Sequence, residues 1–456
     1  MMDYLDRLSR FVCETDFHSL DASAVAATRN VLMDTLGAIL AGSRLPENAS
    51  FATFAARVSG KATATLFGHP YKVEPMYAAL VNATAGVSLE MDEGNRLGGG
   101  HPAIHTVPGA VAVGEEIGID GKRLIESVLV GYEVESRIGS GTQTRSNVHS
   151  HGTWGTIGTA VAVARLFGYN ERQVREVINL AASMSPANPW TTCFEGATIR
   201  NLYPGRSGFQ GILAVHLHQC GYTGPRDGPS SVYGTILGED FDPETVVAGL
   251  PALGEAEGGS GYRIQRNYFK LHACCYFNHP VLDATLALVH HERFEPKEVD
   301  WIRVITVPFG AERMAGGYPE NMLAAKFSIP YAVAASIIRD STDVTAFYED
   351  AIADPRIHDL AQKVEVDSDP QMSVRRLDYP SARVSIGLKD GRVLTESTIV
   401  ARGDATNPVP REVLVDKFMY LSTPVLGKER ATKVVELVGH LDELSDIREL
   451  IGLLVP

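Results

Sequence analysis

Apolar residues over the first 260 positions recur at helical spacing. Val25, Leu32, Leu36 and Leu40 fall near one face of a segment that Ser19 or Asp21 can cap and Gly42 can stop. The runs 121–138, 153–167, 171–184 and 205–220 are too long for typical strands and lack β-branched alternation, so they predict buried helices. Several are rich in Ala and Gly, which allows close packing. Beyond Gly261 the pattern changes: the spacing predicts a strand over 262–270, a helix over 279–291 and a half-buried strand over 299–307. Val384, Ile386 and Leu388 then alternate with polar neighbours, and an Asp390-Gly391 turn leads into a returning strand over 393–400. From Pro410 the helical pattern resumes to Leu454. The expected fold class is mainly α plus α+β: a large helical domain formed by both chain ends, 1–265 and 401–456, with a smaller α+β domain inserted over 266–400.

A length of 456 residues exceeds one ordinary hydrophobic core, in keeping with two domains. The 45% apolar composition is that of a globular protein. No run of about 18 apolar residues occurs, and the start MMDYLDRLSRFVCETD is acidic and amphipathic, so neither a membrane span nor a leader is expected and the expected address is the cytoplasm. Five scattered cysteines suit a reducing compartment better than a disulfide framework. The net charge of −14 argues against a nucleic-acid partner. It leaves small anionic substrates open, provided a few placed Arg and Lys residues create local positive charge.

Candidate chemistry concentrates in residues 89–105, LEMDEGNRLGGGHPAIH. Glu90, Asp92 and Glu93 close a helix-like run, and Gly98, Gly99 and Gly100 permit a sharp turn. Pro102 suits the first turn of the next helix, which puts His101 at a helix N-terminus where backbone N–H groups favour anions. A carboxylate held there would meet an imidazole that moves protons near neutral pH. Further on, NVHSHGT carries His149 and His151 in a loop before a helix, and in an extended loop only one of them would face a site. RNLYPGRSG sets Arg200 and Arg206 around a Pro-Gly helix start, where a planar guanidinium can grip a carboxylate. FKLHACCYFNHP gathers His272, Cys274, Cys275 and His279, but adjacent cysteines chelate one ion poorly and the paired C-x-x-C spacing is missing, so no metal is expected. AKFSIPY, with Lys326 and Tyr331, reads as a helix start with aromatic core packing.

In this order, LEMDEG followed by GHP, VHSHGTWGTIG, RNLYPGRSG with the later GYTGP, FKLHACCYFNHPVLDA and AAKFSIPYAVA resemble the MmgE/PrpD family over nearly the whole chain. That family includes 2-methylcitrate dehydratase, cis-aconitate decarboxylase and iminodisuccinate epimerase. The resemblance implies a cofactor-free homodimeric enzyme whose helical domain and smaller α+β lid domain bound the active site. It implies His101 as the catalytic histidine of the His-Pro pair and His149 as a second active-site histidine. Asp92 and Glu93 keep the acid character of the first motif, in which Glu90 replaces an aspartate and Gly94 a threonine. Arg200 stands where a substrate-binding lysine often lies, Lys270 opens the next motif, and His279 belongs to it. Cys275 falls where decarboxylase members have a histidine, and Tyr331 matches the tyrosine of the Phe-Ser motif. The lost threonine and histidine point away from cis-aconitate decarboxylation.

The expected activity is elimination of water from a hydroxylated di- or tricarboxylate, in the manner of 2-methylcitrate dehydratase. Decarboxylation or epimerisation of a related polycarboxylate would need the same parts. His101 and His149 serve as acid and base, Asp92 orients one of them, and Tyr331 completes the catalytic set. Glu90, Glu93, Arg200, Arg206, Lys270 and Cys275 are expected to contact the substrate. The expected partners are this small anion and a second copy of the chain, with no cofactor, nucleic acid or membrane. Two readings from other classes stand beside this one. A metal-dependent hydrolase would use His101 and His105, at i, i+4 spacing, with His149 and the acidic cluster, and a non-catalytic helical scaffold would only bind a small acid or partner.

Overall fold

The computed structural model describes residues 2–251, 261–369, 372 and 380–456. Asp21 starts the Ala22–Gly42 helix, its side chain accepting the Ala24 N–H at 2.7 Å. Among the described residues this is the one helix long and apolar enough to cross a bilayer, but most of that apolar window is buried inside the protein. It packs against the Pro75–Val87 and Arg411–Leu426 helices as a core element. The helical layer also contains Pro102–Ile117, Gly121–Gly141, Gly155–Leu166, Glu171–Ser183 and Leu202–Gln219. These helices approach closely: a Cβ at Gly131 would lie 2.6 Å from the Gly158 carbonyl oxygen. The Gly-rich composition is therefore a packing requirement. Leu414, Phe418, Val434 and Leu437 join the same hydrophobic cluster as the first helices, so both ends of the chain build one core.

A second cluster is built mainly from residues 273–388. Its sheet runs in the order Val364–Ser368, Val299–Thr306, Ala382–Leu388, Val393–Thr398, with the first pair parallel and the others antiparallel. Ile302 and Val304 oppose Ile386 and Val384, all four buried, which is why their period of two is visible in the sequence. The hairpin turns at Gly391, φ +91°, with Asp390 accepting the Arg392 N–H at 3.0 Å. The His279–His291 helix packs on the last two strands. The fold is thus mainly α with an α+β part.

Two local expectations change. Residues 262–270 do not form a strand: a 3₁₀ turn occupies Arg263–Arg266, and Tyr268 makes single bridges to Gly94 and Asp404. The segment clamps the acidic loop instead of joining a sheet, its Tyr268 N–H donating to the Gly94 carbonyl at 2.8 Å. The parallel Val364–Ser368 strand was not anticipated, because its alternation is mostly exposed and carries little hydrophobic signal. Val87 belongs to the first cluster while Leu89 and Met91 belong to the second, so the acidic segment crosses the seam between the two cores.

Candidate active site

The Pro75–Val87 helix ends just before the acidic segment, where Glu90 adopts φ +52°, a left-handed conformation seldom taken by a non-glycine residue. Its carboxylate is buried and bridges two cations. One oxygen pairs with the Arg200 guanidinium, and the other accepts from Lys270 Nζ at 2.9 Å. Lys270 also donates to Asp92 at 3.0 Å, and the second Asp92 oxygen lies 3.1 Å from His101 Nδ1. Arg200, Glu90, Lys270, Asp92 and His101 therefore form a continuous buried chain of alternating charge, brought from three separate stretches of sequence.

Burial alone would raise the Glu90 and Asp92 carboxyls, but the adjacent cations outweigh it and hold both below the usual carboxylate range. The same carboxylates hold the Lys270 ammonium above its ordinary value against desolvation. Burial moves His101 the other way, below its ordinary value, with Asp92 opposing. Two oxygens face His101 Nδ1, from Asp92 and from the Glu93 carbonyl at 2.6 Å. Nδ1 therefore carries the proton of the neutral ring, and Nε2 is left as the basic nitrogen.

His149 has the opposite tautomer. Its Nδ1 accepts the His151 backbone N–H at 2.9 Å, which places the ring proton on Nε2, a buried atom without a protein hydrogen-bond partner. Burial lowers its pKa well below the ordinary value, so it is a neutral donor at physiological pH. Of the two histidines in this loop, His149 lines the cavity, while His151 lies behind and stacks on His101 at 4.2 Å. His105, four residues after His101, is committed to packing. It pairs with Glu135 at 2.8 Å and accepts the Gly152 N–H at 3.0 Å.

These groups form the floor of a cavity of about 600 Å³. Glu90, His101, His149, Arg200 and Cys275 line it, and burial pushes the Cys275 thiol up to about 12. Above the floor stands an aromatic wall. Trp190 stacks on His149 at 3.9 Å and meets Phe309 edge-on at 5.2 Å, and Phe309 lies 4.5 Å from Phe277. Tyr268 closes another side, edge-on to His101 at 6.1 Å.

Several expected contacts take other positions. Lys270 lies under the lining and holds it through Glu90 and Asp92. Glu93 accepts the Ala103 N–H at 2.9 Å, so the helix N-terminus expected to attract a substrate carboxylate already holds the chain's own carboxyl group, which burial pushes well above the usual carboxylate range. Arg206 donates to Asn188 at 2.5 Å and does not line the cavity. Tyr331 is buried in the second core, its hydroxyl donating to the Ala346 carbonyl at 2.8 Å, because the Ile329–Arg339 helix turns that face inward. The same motif instead supplies Phe327 to the lining, and the Arg200 guanidinium lies 5.4 Å from its ring centroid.

Trp190, Tyr268 and Phe309 were not among the site residues expected from the sequence. Trp190 follows Pro189 in a connecting segment and Phe309 follows Pro308 in the first turn of the Pro308–Arg313 helix, a weak signal of an aromatic ring held in a fixed direction. Tyr268 had a paired signal in Gly94. A Cβ at that position would lie 2.3 Å from the Tyr268 ring, so the glycine that departs from the family pattern is matched by a tyrosine filling the space. Spacing also hid one possible ligand set: Asp92, His101 and His151 offer metal-ligand atoms within 4.8 Å of one another. The Lys270 ammonium, 3.0 Å from the same Asp92 carboxylate, would oppose a divalent ion there, so the donor set fits the ion-pair chain better than a metal.

A model of the MmgE/PrpD N-terminal domain matches residues 6–236 and one of the MmgE/PrpD C-terminal domain matches residues 272–443. Cis-aconitate decarboxylase of Aspergillus terreus is 24% identical, over 95% of this chain and 92% of its own. The human cis-aconitate decarboxylase is also 24% identical, over 94% of this chain and 90% of its own. With both family models matched across most of its length and the acid–histidine chain assembled from its motifs, the protein belongs to the MmgE/PrpD family.

Proposed function

We propose that this MmgE/PrpD lyase moves a proton at a carbon next to a carboxylate, using its own side chains without a metal or organic cofactor, and eliminates water from a hydroxylated di- or tricarboxylate. The observation that carries this reading is the Asp92–His101 pair, 3.1 Å apart, which commits Nδ1 and leaves Nε2 as a base at the cavity. His101 Nε2 takes the proton from carbon, and the electron pair spreads into the adjoining carboxylate. Arg200 and the His149 Nε2–H stabilise that charge, the latter as a neutral imidazole donor. The imidazolium formed at His101 is paired with Asp92 and returns the proton to the departing hydroxyl. The C–O bond breaks, the carbon–carbon double bond forms, and water leaves. Lys270 fixes Glu90 and Asp92 in their charged states throughout.

Decarboxylation is the second reading, supported by the relatives that carry that name. It would generate the same carbanion-like state by losing CO₂ and would then place a proton on carbon. Purified protein, exhaustively chelated, is incubated with a panel of hydroxylated and unsaturated polycarboxylates and followed by NMR and by CO₂ release. Water loss from a hydroxy acid supports the proposal. CO₂ release without water loss replaces dehydration by decarboxylation, and activity abolished by chelation and restored by one metal overturns the cofactor-free mechanism.

A further inference from the structure

The charged floor of the cavity and its aromatic wall suit different parts of a ligand. At the floor, Glu90 and Asp92 already neutralise Arg200 and Lys270, and His149 and His151 are buried neutral imidazoles. One substrate carboxylate can be met there by the Arg200 guanidinium and the His149 Nε2–H; further anionic groups would have to reach Arg145 or Arg313, exposed elsewhere on the lining, because at the floor itself they would find no uncompensated cation. Burying an unpaired charge is strongly unfavourable. On one side above the floor the surface is apolar. Trp190 comes from the chain before Arg200, and Phe277 and Phe309 come from the second core, yet their rings form one continuous face leading away from His149. All three rings are partly exposed, and that exposure lies on the cavity they line. A cavity of about 600 Å³ is in the range that encloses ligands much larger than a small polycarboxylic acid.

We infer that the substrate carries an apolar substituent, alkyl or aryl, laid along Trp190, Phe309 and Phe277, with its reacting carboxylate at the Arg200–His149 floor. This rests on the proton-transfer reading for what happens at the floor, but the wall's preference is a matter of binding and is measured separately. Phe309 sets the specificity most directly, because it meets both other rings and touches none of the floor groups.

The test uses unreactive acids on the full chain. Calorimetry compares succinate, tricarballylate and benzylsuccinate, which share carboxylates, lack a hydroxyl to eliminate and differ in apolar surface. Benzylsuccinate is expected to bind at least tenfold more tightly than succinate, since each buried methylene contributes about fourfold. Phe309→Ala should remove most of that ratio while succinate binding stays the same. Phe277→Leu, a milder change, should reduce the ratio in the same direction if Phe309→Ala proves unstable. Binding of tricarballylate as tight as or tighter than that of benzylsuccinate, or a benzylsuccinate-to-succinate ratio unchanged in both variants, overturns the inference. Tight, Phe309-dependent binding of benzylsuccinate by a protein that exchanges no carbon-bound proton in any hydroxy acid would overturn the proton-transfer reading and leave this one standing.

Discussion

The cavity floor and the cavity wall are built in opposite ways. The floor is a closed set of ion pairs in which each buried charge touches its opposite, and its members come from sequence motifs. The wall is a run of aromatic rings from distant segments, of which only Phe277 falls within a motif and none is hydrogen-bonded to the floor. In the proposed mechanism the floor determines which bond breaks and the wall determines which molecule is held. Changes in the floor should therefore affect every substrate, and changes in the wall should separate one substrate from another.

The largest expected effect is at His101. His101→Gln should lower kcat about 10²- to 10⁴-fold for all substrates while thermal unfolding stays close to the parent. A loss that varied from one substrate to the next would place His101 in recognition and break the division. Glu90→Gln comes next and should act on stability. It leaves Arg200 and Lys270 with one carboxylate fewer in a dry environment, and loss of one partner from such a network costs about 3–5 kcal/mol, measured by denaturant titration. The wall offers the contrast: Phe309→Ala, at a partly exposed ring, should change stability far less.

A smaller effect tests the join between the acidic loop and its clamp. Gly94→Ala drives a methyl into Tyr268 and should cost about 1–3 kcal/mol of stability. Tyr268→Leu in the same chain should restore most of it, and no recovery would show that the cost is backbone strain. The smallest effect is in pH dependence. A base must be unprotonated, and burial keeps His101 below its usual value of 6.5, so kcat/KM should hold steady down to about that pH and fall only below it. Because Asp92 raises the His101 pKa, Asp92→Asn should move this acid limb to lower pH. A limb that moved upward would separate the two residues.

The same division explains what the sequence disclosed. The helices were legible because long apolar runs meet caps such as Asp21, and the hairpin because Val384, Ile386 and Leu388 alternate before Asp390-Gly391. The Val364–Ser368 strand was hard to see because only Val364 and Val366 alternate in it and both are merely half-buried. In the site, the order of Glu90, Asp92 and His101 was readable because the chemistry is local, and Arg200 and Lys270 were found through their motifs. Whether those cations are free or already paired is a matter of distance, which no motif carries. Glu93 looked equivalent to its neighbours, yet one residue's difference in direction sends it to the Ala103 N–H. Tyr331 looked reactive, but only packing decides that its hydroxyl goes to Ala346. Trp190, Phe277 and Phe309 are ordinary aromatics until the fold brings them together.

The central claim, that the Asp92–His101 pair moves a proton on and off carbon next to a carboxylate, is tested most directly by deuterium exchange. Parent and His101→Gln proteins are incubated in deuterated water with a panel of hydroxylated polycarboxylates, including apolar-substituted members, and carbon-bound deuterium is read by NMR. Deuterium is expected at the carbon adjoining a carboxylate with the parent, at a rate about 10²- to 10⁴-fold lower with His101→Gln. Exchange at the same rate in both proteins, or product formed by the parent without any carbon-bound proton being exchanged or lost, would contradict it.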